Sequence, residues 1–303
     1  MGRYTGQNAR QKEFIKMFDT LLTGSYTRWQ VWDDMIWMFA TTIANTIPTP
    51  HWQKREDDYL KRIGKYKRQE QQVFPELFAL LVQTMDESVN EGRYGDFLGE
   101  LFMLMELGND HGGQFFTPYD VCRMMAEVTF TDQVRAEIDR RGFIVCNDPA
   151  VGAGATMIAF AEILQQRGIN YQQRCVFTGQ DIDYIASLMA YIQLSLLGCA
   201  GYITIGNTLT APDTSHPLFG SDEERMWKTP MFFATRWEMQ RTIHQARGLV
   251  DSVATATGEA PALSPTSHMP EEASLPETPA DALSGIFTVS TKKRNAGQIM
   301  MEI

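Results

Sequence analysis

Residues 143–168 read FIVCNDPAVGAGATMIAFAEILQQRG, and residues 174–195 read RCVFTGQDIDYIASLMAYIQLS. Phe143–Cys146 is a short apolar strand with Asn147 and Asp148 at its carboxyl end, followed by a turn over Pro149–Gly154. Ala155–Gln166 places Met157, Ile158, Phe160, Ala161 and Leu164 on one side of an amphipathic helix. A second strand, Cys175–Thr178, ends in Gly179-Gln180-Asp181-Ile182-Asp183, and a second helix follows. A third strand, Tyr202–Ile205, leads into Gly206-Asn207-Thr208-Leu209. Strand and helix in alternation predict a parallel sheet of the α/β class. Gly152 and Gly154 permit a tight turn and close approach of a ligand to the backbone. Such a turn also serves as a plain strand-to-helix connection. The acid at the end of the second strand adds chemistry, because a carboxylate accepts hydrogen bonds from both hydroxyls of a ribose. The interval from Gly154 to Asp181 exceeds the roughly 20 residues of the dinucleotide rule.

Upstream, Gly112-Gly113 breaks a helical pattern and the sequence continues GQFFTP. Thr117 is the expected N-cap of a new helix, with Pro118 at its first position and Asp120 in its first turn. Val121, Met124, Met125 and Val128 are its expected buried face. Two phenylalanines set against exposed N–H groups suit a ligand that is part apolar and part anionic. Before residue 110 the apolar spacing is helical: Gln11–Ile47, a stretch from about Pro75, and Asp96–Leu107. Lys54 to Arg68 gathers seven basic residues interleaved with Glu56, Asp57 and Asp58. That run is either a solvated helix face or an edge that contacts phosphates.

The 303-residue chain carries a net charge of −10, which is not the footprint of a typical nucleic-acid binder. From Asp251 onward seven acids face three bases, leaving −6 for the first 250 residues. Cys122, Cys146, Cys175 and Cys199 lack C-x-x-C spacing, which argues against zinc and a disulfide framework and makes a reducing cytoplasm the expected location. No apolar run approaches the roughly 20 residues of a membrane span, and the N-terminus has no signal-peptide apolar region. The Pro-, Ser-, Thr- and Glu-rich sequence of residues 251–303 reads as a disordered acidic tail, interrupted by an apolar island at Ile286–Val289. Three parts are therefore expected: a helical domain over 1–110, a cofactor-binding domain over 111–250 and the tail.

GQFFTP, NDPAVGAGATM, GQDID and GNTL, in that order and preceded by GRYGDFLGELFMLMEL, resemble the signature of DNA adenine-N6 methyltransferases. Among them the chain is most similar to the modification subunit of type I restriction systems. The resemblance covers about Gly92 to Leu209. It implies a Rossmann-like domain that binds S-adenosylmethionine. By the family pattern, Phe115, Phe116 and Thr117 hold the methionine end. Asp148 faces the ammonium group, and Pro149, Ala150, Gly152 and Gly154 form the floor. Asp181 binds the ribose, Ile182 packs on the adenine ring, and Asn207 reads the ring's edge through its side-chain oxygen. Val151 departs mildly from the family's cysteine or alanine, and Asn207 stands where aspartate is more usual.

The resemblance also implies methyl transfer to the exocyclic amine of a flipped adenine in DNA. The family positions that amine with an Asn-Pro-Pro-aromatic sequence after the fourth strand, which this chain lacks. His216-Pro217-Leu218-Phe219 and Thr229-Pro230-Met231-Phe232 are degenerate candidates. The second lies at the expected spacing, so Thr229, Pro230 and Phe232 are the candidate catalytic residues, although SDEERMWK before them is not an apolar strand. Either the fold is truncated or a partner supplies DNA specificity, as the separate specificity subunit does in type I systems. A competing reading is a binding module of the same descent without chemistry, acting as a regulatory or decoy subunit. A third is methylation of some other amine.

Overall fold

In the computed structural model, which describes residues 8–22, 26–108 and 116–257 and side chains as far as residue 249, four strands form one mixed sheet. β1 (Ile144–Asp148), β2 (Cys175–Asp181) and β3 (Ala200–Ile205) run parallel in that order. β4 (Met226–Lys228) closes the far edge antiparallel to β3. α9 (Ala155–Gln166) connects β1 to β2, and α11 (Tyr184–Leu196) connects β2 to β3. The strand period of two divides the side chains between the faces. Ile144, Cys175, Phe177 and Ile203 enter the main core with α9 and α11, whereas Phe143, Val176 and Ala200 pack on the other face with Leu218 and Trp237. Gly154 joins β1's turn to α9 at a φ of +96°, and a Cβ there would lie 3.2 Å from the Ala190 Cα of α11. Both facts require glycine.

Every residue of α11 from Ile185 to Leu196 is buried. A helix apolar all round belongs inside, and this one lies between the sheet and a helical layer. That layer comprises α1 (Ala9–Asp19), α2 (Arg28–Ala44), α3 (Trp52–Ile63), α4 (Arg68–Gln71), α5 (Val73–Asn90) and α6 (Phe97–Leu104). The single helical run expected over Gln11–Ile47 is two helices, α1 ending in a 3₁₀ turn at Thr20–Leu22 and α2 starting at a Thr27 capping box. One apolar cluster extends from Phe14 and Trp32 in this layer to Phe177 and Trp227 in the sheet. Trp37 meets Trp227 edge-on at 5.5 Å, and the buried Arg55 guanidinium stacks 4.1 Å above Trp227. The boundary expected at residue 110 falls within 109–115, outside the described residues.

Most of the basic run is spent on internal pairing. Besides Arg55, Arg62 bonds Asp33 and Asp34, Lys65 bonds Asp34, Lys54 pairs with Glu224 and Lys61 with Asp58. This leaves little of it for a phosphate-contacting edge.

α7 (Tyr119–Thr129) begins one residue later than expected, with Pro118 rather than Thr117 at the cap position. Its inward face is Cys122 and Ala126, with Tyr119 donating a 2.8 Å hydrogen bond to Glu162 of α9. The expected inward face is turned outward: Val121, Met124, Met125 and Val128 are exposed. α8 (Asp132–Arg141), α10 (Tyr171–Arg174) and α12 (Thr235–Thr257) add to the elements expected from the sequence. Seven residues assigned to the disordered tail, 251–257, are the last turns of α12. The rest of the tail, including Ile286–Val289, lies outside the described residues. No helix among those described is long and apolar enough to cross a membrane.

Candidate cofactor site at the carboxyl end of the sheet

Parallel strands deliver their carboxyl ends to one side of a sheet, and ligands in open α/β folds bind there. Asp148 ends β1. Its carboxylate accepts from the Ala150 N–H at 3.0 Å and from the Thr156 hydroxyl, which ties the strand end to the first turn of α9. Asp181 ends β2, and its Oδ2 accepts the Gly152 N–H at 2.8 Å while Oδ1 accepts the Asp183 N–H at 2.9 Å. Gly152 adopts a φ of +54°. A Cβ on it would meet the Phe116 ring at 3.2 Å, so the ring rests on the glycine turn. Phe116 is held from behind by Phe102, with centroids 5.3 Å apart. Ile182 follows Asp181 and is 68% exposed, an apolar side chain left uncovered at the strand end.

Beyond β3, the Gly206 N–H donates to the Asp181 carbonyl at 2.8 Å, and the Thr208 hydroxyl donates to the Pro149 carbonyl. The three loops are thereby stitched into one rim. Asn207 differs from expectation. Its side-chain oxygen accepts the N–H groups of Leu209 and Thr210 at 2.8 and 3.2 Å, so that oxygen forms a turn and is not aimed at a ligand's edge.

Asp148, Pro149, Ala150, Gly152, Gly154, Asp181 and Ile182, with Phe116 laid on the turn, thus stand at one end of the sheet; Thr117 lies beside Asp96, Gly99 and Glu100, and Phe115 lies outside the described residues. The donor set suits a nucleoside bearing an amino acid. Asp181 keeps unused acceptor capacity, since a carboxylate offers about four lone-pair sites and two are occupied. Ile182 offers an apolar surface, and the Gly152 cradle under Phe116 leaves no room for a side chain.

Residues outside the foreseen set hold the turn in place. Asp96 caps α6 through the Gly99 N–H at 2.9 Å and accepts from Gln193 at 2.7 Å. Gln193 also donates to the Ala153 carbonyl at 2.8 Å and accepts the Leu98 N–H at 3.1 Å. Complete burial pushes the Asp96 carboxyl above its usual range, and the hydrogen bonds from Gln193 and Gly99 only partly oppose this. Asp96 was legible as an α6 cap, whereas Gln193 sits in a helix buried on all sides and gives no such signal.

The candidate catalytic residues are elsewhere. SDEERMWK does yield a strand, the three-residue β4, but it runs antiparallel to β3 and carries the chain back to the sheet's amino end. Thr229 is buried there, opposite Gly201. Its hydroxyl donates to the Cys199 carbonyl at 2.7 Å and accepts the Gly201 N–H at 3.1 Å. Pro230 opens a 3₁₀ turn, and Phe232 packs on Tyr202 under Arg241. Along β3 this is ~15 Å from the cofactor end. His216-Pro217-Leu218-Phe219 is also at the amino end, with Leu218 packed among Phe143, Val176 and Trp237. Both degenerate sequences therefore lie at the end of the sheet opposite the Asp148–Asp181 rim.

The family model described as N-6 DNA Methylase matches residues 96–255. The methylase subunit of the type I restriction enzyme MjaIX from Methanocaldococcus jannaschii is 28% identical over 115 residues, 38% of this chain and 18% of that protein. The crystal structure of the type I restriction-modification system methyltransferase subunit from Streptococcus thermophilus aligns with a TM-score of 0.35 and 13% identity. That alignment covers 69% of this chain and 60% of the other. The chain therefore spans less than a fifth of the curated relative's length. The family match takes in the α6 cap, the glycine turn, Asp181 and the Asn207 loop, and extends over more than half of the sequence. The chain belongs to the N-6 DNA methylase family.

Proposed function

We propose that this chain binds S-adenosylmethionine at the carboxyl end of its sheet and serves adenine-N6 methylation of DNA together with a second polypeptide. The observation that carries the reading is the Asp181 carboxylate, anchored to the Gly152 N–H directly beneath Phe116. In that arrangement Asp181 accepts from the ribose hydroxyls, Ile182 covers the adenine face, and Asp148 opposes the positive charge at the amino-acid end. Phe116 and Thr117 close the methionine side. Asn207 contributes at the adenine edge through its amide nitrogen, because its oxygen is engaged in the loop. When bound, the cofactor supplies the activated methyl group. The residues named here bind and orient it and do no proton chemistry.

DNA is the proposed substrate and a separate specificity subunit the proposed partner. Two observations support a partner: the basic run is largely paired internally, and neither Pro-aromatic sequence reaches the rim. Isothermal titration with S-adenosylmethionine tests the pocket. Saturable binding that weakens on Asp181→Ala is expected, and no heat at high micromolar cofactor would sink the reading. Tritiated methyl transfer to unmethylated DNA, with the chain alone and with a specificity subunit added, tests the chemistry.

A second reading, cofactor binding without transfer, is favoured by the burial of Thr229 at the opposite end of the sheet. It predicts binding in the titration with no methyl transfer in either assay.

A further inference from the structure

Between the start of α3 and the segment that leads into β4 lies a cavity of about 110 Å³. Arg55, in the first turn of α3, lines it and is only 7% exposed. One face of the guanidinium rests on Trp227 at 4.1 Å. Stacking satisfies the face and leaves the N–H donors around the edge still to be met. Among the described residues no acceptor bonds them, and Glu224, the acid whose field reaches Arg55, is held by Lys54. Burial accordingly pulls the Arg55 guanidinium below its usual basicity. A buried charge without acceptors is costly.

Other groups around the cavity share this character. The Thr49 hydroxyl is buried without a partner. Lys228 enters from β4 and bonds Asp222 at 2.9 Å, which leaves an ammonium further donors. His51 braces the wall by bonding the Asp222 carbonyl at 2.8 Å. It stands at the N-cap of α3 without a capping bond, so the positive end of that helix is uncapped beside the cavity. The acids of the rim are already engaged: Asp222 with Lys228, Glu223 with Arg225 and Glu224 with Lys54.

We propose that this cavity binds one small free oxyanion, of which inorganic phosphate is the type, through Arg55, Lys228 and the Thr49 hydroxyl. A guanidinium meets such an anion with two parallel N–H bonds. The volume equals that of roughly four waters, which a tetrahedral oxyanion also fills. Depth and rim select against a polymer. Arg55 is too enclosed for a phosphate within a nucleic-acid backbone, and Asp222, Glu223 and Glu224 repel a polyanion. The bound anion would join the α2–α3 connection, in the helical layer, to the β4 edge of the sheet. The cavity shares no residue with the cofactor rim, so the site stands whether or not the rim binds S-adenosylmethionine.

Equilibrium dialysis of the full chain against radiolabelled inorganic phosphate, at ionic strength held constant with chloride, tests this. Saturable binding of one phosphate per chain is expected, reduced to background by Arg55→Gln. Lys228→Gln and Thr49→Val leave the Trp227 stack in place and should each weaken binding by about tenfold. They carry the test if Arg55→Gln does not fold. Asp181→Ala and saturating S-adenosylmethionine should leave phosphate binding unchanged. Absence of saturable binding overturns the proposal, as does wild-type affinity in a folded Arg55→Gln or in both milder variants. Loss of binding on Asp181→Ala would move the anion to the rim, and displacement by duplex DNA below the matching concentration of free phosphate would assign the site to a nucleic-acid backbone; either result overturns it as well.

Discussion

At the carboxyl end of the sheet, Asp148, Asp181 and Asp183 accept backbone N–H groups of the turns and helix that follow the strands, with Ile182 uncovered among them. At the amino end the balance is reversed. Arg174 and Arg236 both donate to the Gly142 carbonyl, and Thr229 is sealed against Cys199 and Gly201. One end has acceptor capacity to spare and open apolar surface. The other has its polar groups satisfied internally and its aromatic residues buried. The contrast separates a binding site from a closure of the fold, although both ends carry a Pro-containing turn next to a phenylalanine.

The comparison can be broken at several points. Asp181→Ala should have the largest effect on binding. Losing a charged acceptor for two hydroxyls and the anchor of Gly152 should weaken cofactor affinity by roughly 100-fold, equivalent to ~2.7 kcal/mol. Titration calorimetry reads it, and a change below threefold would mean the rim is not the site. Thr229→Val should do the reverse. Stability in urea should fall by ~1–3 kcal/mol because the Gly201 N–H loses its buried acceptor, with cofactor affinity unchanged. A selective loss of methyl transfer by a variant of normal stability would restore Thr229 as catalytic.

A smaller effect is expected at Asp96, where burial raises the carboxyl's folded value above its unfolded one. Its stabilising contribution is therefore complete below about pH 4 and declines as pH rises through the raised value. Asp96→Asn cannot ionise, so its stability deficit relative to wild type should narrow with rising pH in urea titrations. A deficit constant with pH would show that the carboxyl titrates normally. Ile182→Ala should have the smallest effect, weakening cofactor binding by about fivefold, ~1 kcal/mol, through lost apolar contact with no change in melting temperature.

What could be read from the sequence was local. Gly152 and Gly154 announce a turn because their backbone angles exclude other residues, and Asp148 and Asp181 announce the rim because they terminate apolar runs. The limits of α9 needed only its apolar period and the glycine before it. α8 and α12, with weaker apolar patterns and many charges, gave no comparable signal, and α12 continues into sequence whose composition reads as disordered. The candidate catalytic sequence shows a different limit. Spacing along the chain placed Thr229-Pro230-Met231-Phe232 where the family's motif would stand, but spacing carries no direction.

The sequence by itself determined the βαβ unit, the glycine cradle and the acids at the strand ends, because φ preferences and side-chain periodicity act over a few residues. Only the tertiary structure decided the order of the described strands, that β4 runs antiparallel and that the apolar face of α7 points outward. Those outcomes depend on which surfaces meet across the whole chain. An apolar stripe specifies that a helix face is to be covered, and the packing of the other elements determines by what.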